Sequence, residues 1–345
     1  MTDTLSTRSA PMRTPPAIAR ACELVEPALR AAVAGLADER MRLVASYQLG
    51  WCDADGTPVE GGGGKMIRPT LAVLSAQAVG GDPQAGVPGA VALELVHNFS
   101  LLHDDIMDRD TERRHRPTGW VAFGEGQAIL AGNAMLTAAV EVITAGAPHT
   151  LPHLLGAVQH LISGQSEDLA LERRPDAALE DVLRMEEGKT AALLACASSI
   201  GALAAGAPEP SLRALGEFGR LMGLAFQLVD DVLGVVGDPV VTGKSASSDV
   251  RAGKRSAAVV AALGAGLPQS AELAELLRPG PPETEADVTR ARELIVAAGG
   301  IDWALDEADR LLDCALRSLH QVQPASPAAV ADLEEVARFI VARDR

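Results

Sequence analysis

With 345 residues the chain could form one large domain or two, and its 48% apolar but only 3% aromatic content makes a core of Ala, Leu and Val, which favours close-packed helices over a β-sandwich. A formal charge of −16 with no Lys/Arg-rich tract argues against nucleic acid or an anionic membrane surface as partner. Cys22, Cys52, Cys196 and Cys314 lie far apart with no CxxC. There is no signal-like leader and no uncharged apolar run of about 18 residues, so the reading is of free thiols in the cytoplasm, no export and no membrane span.

In chain order, residues 1–16 read as a polar, proline-bearing flexible tail and 17–345 as a single domain. Residues 17–49 carry Ala, Leu and Val at helical spacing and predict one or two helices. The loop WCDADGTPVEGGGG follows, then Lys65 and Arg68 at i and i+3 where the next helix opens. Those two cations could be chance companions of a linker, or could converge with a helix N-terminus on an anion.

The stretch 91–118, VALELVHNFSLLHDDIMDRDTERRHRPT, begins as an apolar helix and then places Asp104, Asp105 and Asp108 within five residues. Asp110 and Glu112 come next, followed by Arg113, Arg114, His115 and Arg116. Asp104 and Asp108 share a helix face about 6 Å apart, and such a pair repels itself unless a cation intervenes or one acid keeps its proton. Carboxylates beside arginines suit a metal-chelated phosphate or diphosphate.

Beyond Pro117 three apolar segments of helical period follow. Gly164-Gln165 is expected to interrupt the second, and Gly188-Lys189-Thr190 to break the third and turn a lysine and a hydroxyl inward. Taken by itself Lys189 reads as a snorkelling surface lysine. The helix LRALGEFGRLMGLAFQLVDDVLGVVGD brings a second acid pair, Asp230 and Asp231, with Gln227 one turn earlier. A Gly- and Ser-rich loop then holds Lys244, Asp249, Arg251, Lys254 and Arg255. No strand-like alternation of useful length occurs, so the expected architecture is all-α and single-domain.

Two acid clusters, each ending an apolar helix and each followed by cations, would flank the mouth of an apolar cavity if their helices face one another. Mg²⁺ prefers such oxygens and completes its shell with water and substrate phosphates. It would neutralise a diphosphate leaving group, while the apolar walls keep water from a carbocation.

GKMIRP at 64–69, ELVHNFSLLHDDIMDRDTERR at 94–114, GQSEDL at 164–169, EGKTAALL at 187–194, FQLVDDVLGVVGD at 226–238 and TGKSASSDVRAGKR at 242–255 together resemble the trans-isoprenyl diphosphate synthases of the polyprenyl synthetase family. The resemblance runs from about residue 20 to 345 and implies a helical bundle of the isoprenoid synthase type with a central apolar cavity. It implies Mg²⁺, three ions with substrate bound, on Asp104, Asp108 and Asp230, with Asp105 and Asp231 supporting. An allylic diphosphate (dimethylallyl, geranyl or farnesyl) would be held by Arg113, Lys189, Thr190, Gln227, Lys244 and Lys254. Isopentenyl diphosphate would be held by Lys65, Arg68, His97 and Arg114, and a homodimer is implied.

Three positions depart from the family pattern. The second motif ends in Gly234 where many relatives have Asp, His115 stands where Gly commonly follows the arginine pair, and Asn133 where Asp is frequent. Two other readings are a class I terpene cyclase and a non-catalytic regulatory subunit. The cyclase would need Ser at 234 and has no use for Lys65 and Arg68; the subunit would be expected to lose an acid motif. For chain length, Ser100 lies about 40° from Asp104 on the helical wheel and is too small to block a tunnel, whereas Phe99 lies about 140° away. Only the resemblance marks Phe99 as a determinant. Phe at 99, a small residue at 100 and no insertion inside DDIMD resemble synthases of a C20 product, with C15 second.

Overall fold

The computed structural model describes residues 13–59, 63–172, 174, 176–237, 247–323 and 326–342, and these are overwhelmingly helical. Lys244, and residues 1–12 of the expected tail, lie outside them. Pro16, placed in that tail, is already helical: it opens α1 (Pro16–Ala34) in the first turn, where its missing N–H costs no hydrogen bond. Residues 17–49 form two helices, because Asp38 caps α2 (Glu39–Gln48) by accepting from Arg40 N and Met41 N.

α3 (Ile67–Ala78) and α4 (Val87–Met107) pack in the interior, and Val91, Leu93, Leu95, Val96 and Leu102 of α4 are wholly buried. A two-residue antiparallel ribbon follows, β1 (Glu112–Arg113) with β2 (Arg116–Pro117). Arg114 and His115 form its turn with φ of 53° and 59°. That explains the departure at 115, since glycine fills a left-handed position without strain and His115 must bear it.

α5 (Gly119–Phe123), α6 (Glu125–Gly146) and α7 (Leu151–Leu171) come next. Contrary to expectation, α7 runs unbroken through Gly164-Gln165. The expected break at 188–190 is present: α8 (Leu179–Glu186) passes through a π turn, Glu187–Ala191, into α9 (Ala192–Ala204). The two observations have one cause. A Cβ on Gly164 would lie 2.2 Å from Lys189 N, so Gly164 is the flat spot on α7 that lets the π turn press against it.

α10 (Glu209–Val236) carries the second acid pair. The remainder comprises α11 (Ser248–Arg251), α12 (Ala257–Gly264), α13 (Pro268–Leu276), α14 (Glu285–Ala297), α15 (Gly300–Leu319) and α16 (Pro327–Val341). α10 lies against α9 and α15, α4 against α6, and α3 against α9, around one large apolar core. A smaller core joins the end of α10 to α11–α15. Pro83–Met107 and Glu125–Gly146 are long and apolar enough to cross a membrane by length and composition, but the first is 67% buried in the bundle and the second 39%.

Candidate active site

The end of α4 is where four elements meet. Lys189 Nζ, delivered by the π turn, lies 3.2 Å from Asp104 Oδ1 and 2.6 Å from Asp168 Oδ2 on α7. Lys254 Nζ lies 3.1 Å from Asp108 Oδ2. Burial alone would lower both ammonium pKa values, but Asp104 and Asp168 around Lys189, and Asp108 and Asp249 around Lys254, outweigh it and hold both above the ordinary lysine value. Lys189 is therefore no snorkelling surface residue. Asp168 was given no role from sequence, although GQSEDL contains it; its place opposite Asp104 comes from the packing of α7 on the π turn.

Asp105 faces differently. It is 1% exposed, accepts from Arg113 Nε at 2.7 Å, and burial pushes its carboxyl up to about 6 against the pull of Arg113. Asp231 is equally interior: Oδ1 accepts from Gln227 Nε2 at 2.9 Å and Oδ2 from Ala257 N at 2.7 Å. No donor reaches either oxygen of buried Glu186, whose pKa is raised by burial and then by Asp231. Thr190 Oγ1 donates to Gln227 Oε1 at 2.7 Å, completing a chain from the π turn through α10 to α12. Both oxygens of Asp231 thus accept from protein donors, whereas Asp105 gives only Oδ1 to Arg113 and its Oδ2 is buried with no donor. Asp230 is exposed on α10.

A second basic group stands on the other side of Arg113. A Cβ on Gly64 would lie 3.0 Å from Arg114 Nη2, and Lys65 Nζ lies 5.2 Å from the Phe339 ring centroid on α16. Arg68 has a buried Nε with no acceptor; burial lowers its pKa to about 10 and Glu94 opposes this, leaving it charged at neutral pH. His97 is held neutral by desolvation and by Arg68, Arg114 and Arg113. Glu94, the interior counter-charge of Arg68, accepts from Asn98 Nδ2 at 2.9 Å and was not picked out from sequence, though it sits one turn before His97. Beside it Trp51, Gly64, Met66, Glu94 and Asn98 line a cavity of about 360 Å³.

Phe99 is buried and packs edge-on against His103, ring centroids 5.0 Å apart. Ser100 Oγ donates to His97 O at 2.7 Å. Asn133 is exposed on α6.

Whether Mg²⁺ fits can be judged from the orphaned atoms. Asp105 Oδ2 and Asp108 Oδ1 are buried with no hydrogen-bond donor, and Asp104 Oδ1 beside them meets the Lys189 ammonium at 3.2 Å; unpaired carboxylate oxygens are the need a hard cation meets. Among the described residues no three potential ligands converge unaided, as suits an ion whose remaining sites are filled by water and phosphate oxygens.

The bundle thus sets the acid cluster of α4 against two lysines, with a second group of cations around His97. The polyprenyl synthetase family model matches residues 57–295. Among known proteins, (2E,6E)-farnesyl diphosphate synthase of Mycobacterium bovis is 45% identical over 339 residues, covering 96% of this chain and 94% of that one. Geranylgeranyl diphosphate synthase of Mycobacterium tuberculosis is 42% identical, covering 81% and 82%. Polyprenyl synthetase of Streptomyces coelicolor superposes with a TM-score of 0.88 at 44% identity, covering 94% and 99%. The chain belongs to the polyprenyl synthetase family, as a short-chain trans-isoprenyl diphosphate synthase: a prenyltransferase acting on isoprenyl diphosphates.

Proposed function

We propose that this enzyme performs Mg²⁺-dependent head-to-tail condensation of isopentenyl diphosphate with an allylic diphosphate, giving a C20 trans-prenyl diphosphate. The observation that carries the proposal is the pairing of Lys189 with Asp104 and Lys254 with Asp108 beside the unpartnered oxygens Asp105 Oδ2 and Asp108 Oδ1. Both cations there are positioned to move onto diphosphate oxygens while the acids take metal. Asp104, Asp108 and Asp230 would hold Mg²⁺. When bound, the metal supplies charge neutralisation to the departing diphosphate.

Arg113, Lys189, Thr190, Gln227, Lys244 and Lys254 would bind the allylic diphosphate, with Asp105 and Asp231 fixing Arg113 and Gln227. Lys65, Arg68, His97 and Arg114 would bind isopentenyl diphosphate, and this second cation group favours condensation over a cyclase with one diphosphate. The allylic C–O bond breaks with its electron pair on the leaving diphosphate. The isopentenyl double bond attacks the cation, and a proton passes to that diphosphate. Both acid clusters being present favours an enzyme over a regulatory subunit.

Chain length is read from Phe99 and Ser100, with the product running along α4. The edge-on contact of Phe99 with His103 supports a ring fixed in place, able to serve as a floor. A C15 product is the second reading, supported by the 45% identity to a farnesyl diphosphate synthase. The homodimer is supported by an unusually apolar surface on α6 and α7, where Ile129, Leu130, Leu155 and Ile162 are exposed. The four unpaired cysteines suit the cytoplasm.

The test is incubation with Mg²⁺, isopentenyl diphosphate and each allylic primer, followed by product sizing. C20 is expected, Phe99→Ala should lengthen the product and Ser100→Phe shorten it to about C15. No elongation with any primer would sink the proposal, and an unchanged product from Phe99→Ala would move the floor to another helix.

A further inference from the structure

The two acid clusters differ by one side chain. On α4 Asp104 is followed one turn later by Asp108; on α10 Asp230 is followed one turn later by Gly234. Another element brings a carboxylate to that place. A Cβ built on Gly234 would lie 2.0 Å from Asp249 Oδ2 and 2.4 Å from Asp249 Cγ. The half-buried Asp249 carboxylate of α11 therefore occupies the volume that any side chain at 234 would need.

Its position is anchored on both sides. Ser247 Oγ donates to Val235 O at 2.9 Å, tying the start of α11 to α10. Ser248 Oγ donates to Asp249 Oδ1 at 3.3 Å. Asp249 O accepts from Lys254 N at 2.9 Å, and Lys254 Nζ in turn reaches Asp108. One residue thus lies against α10 at Gly234 through its side chain and orients, through its backbone, the lysine paired with the first cluster.

We propose that Asp249 supplies from α11 the carboxylate that α10 lacks at Gly234, as a positioning residue for the metal–diphosphate complex and for Lys254. The glycine is then the seat of that carboxylate rather than a loss in the motif. This inference rests on the diphosphate-binding reading above.

The test uses the full chain and Mg²⁺-dependent binding of inorganic pyrophosphate, followed by calorimetry, with melting temperatures on the same samples. Asp249→Ala should weaken binding about tenfold, the loss expected for one charge-assisted contact. Gly234→Ala should do the same with little loss of stability, because the nearest atoms its methyl group meets are the movable end of Asp249. The combination Gly234→Asp with Asp249→Ala should return to within about threefold of the parent, the acid being re-supplied from α10 into the vacated space. Steady-state kinetics should show the single variants raising KM for the allylic substrate more than for isopentenyl diphosphate. Unchanged binding in Asp249→Ala, or a combined variant no better than Asp249→Ala, overturns the proposal. Should Asp249→Ala not fold, the isosteric Asp249→Asn takes its place with the same expectation. A parent protein that binds no pyrophosphate with Mg²⁺ overturns the functional reading itself, and this one with it.

Discussion

At the scale of single residues, the surroundings of Lys189 and Arg114 tell what their removal will do. Lys189 bridges Asp104 and Asp168, whereas Arg114 belongs to the group with Arg68 and His97. Lys189→Ala should chiefly raise KM for the allylic substrate and Arg114→Ala that for isopentenyl diphosphate. Each shift should be about ten- to a hundredfold, since a charge-assisted contact is worth roughly 1.5–3 kcal/mol. Equal effects on both substrates in steady-state kinetics would remove the case for two diphosphate sites. Asp105 makes a pH prediction. Its folded pKa of about 6 lies above the ordinary aspartate value, so its contribution to stability is fully present below the unfolded pKa and is lost as pH rises through about 6. Thermal melts between pH 4 and 7 should show Asp105→Asn gaining stability relative to the parent as pH rises; parallel curves would contradict it.

At the scale of elements, the π turn and α7 are one device. Gly164 lets the backbone of Lys189 approach α7, and that approach aims the lysine between Asp104 on α4 and Asp168 on α7. Gly164→Ala should force the two apart, with a cost of about 1–3 kcal/mol for overpacking. It should lower the melting temperature and weaken allylic binding together. A variant with native melting and native KM would show that the contact is not needed to place Lys189. The helix break was legible in Gly188-Lys189-Thr190. The continuity of α7 was not, because an isolated glycine in a helical pattern reads as an interruption until a neighbour is seen to require it.

At the scale of the whole molecule, the apolar faces of α6 and α7 set an expectation about assembly. Leu130 is 56% and Ile162 53% exposed, on helices whose other faces enter the core. A second copy covering this surface would bury it. Sedimentation should give a dimer for the parent and a monomer for Leu130→Arg, with helical content unchanged by circular dichroism. A monomeric parent would refute the expectation.

By itself the sequence determined the helical class, the two acid clusters and the cations that follow them, because apolar period and local spacing are properties of neighbours along the chain. Only the tertiary structure decided which acids face the cleft. Asp104 and Asp105 are adjacent in sequence, yet one meets Lys189 and the other is buried against Arg113. Asp230 and Asp231 divide the same way, one exposed and one tied to Ala257 and Gln227. Successive residues on a helix point about 100° apart, so which of two neighbours faces the core depends on what packs against the helix, and Lys189 beside Asp104 and Ala257 beside Asp231 come from other segments. The same holds for Asp168 and Asp249, whose surroundings are set by how α7 packs on the π turn and α11 on α10.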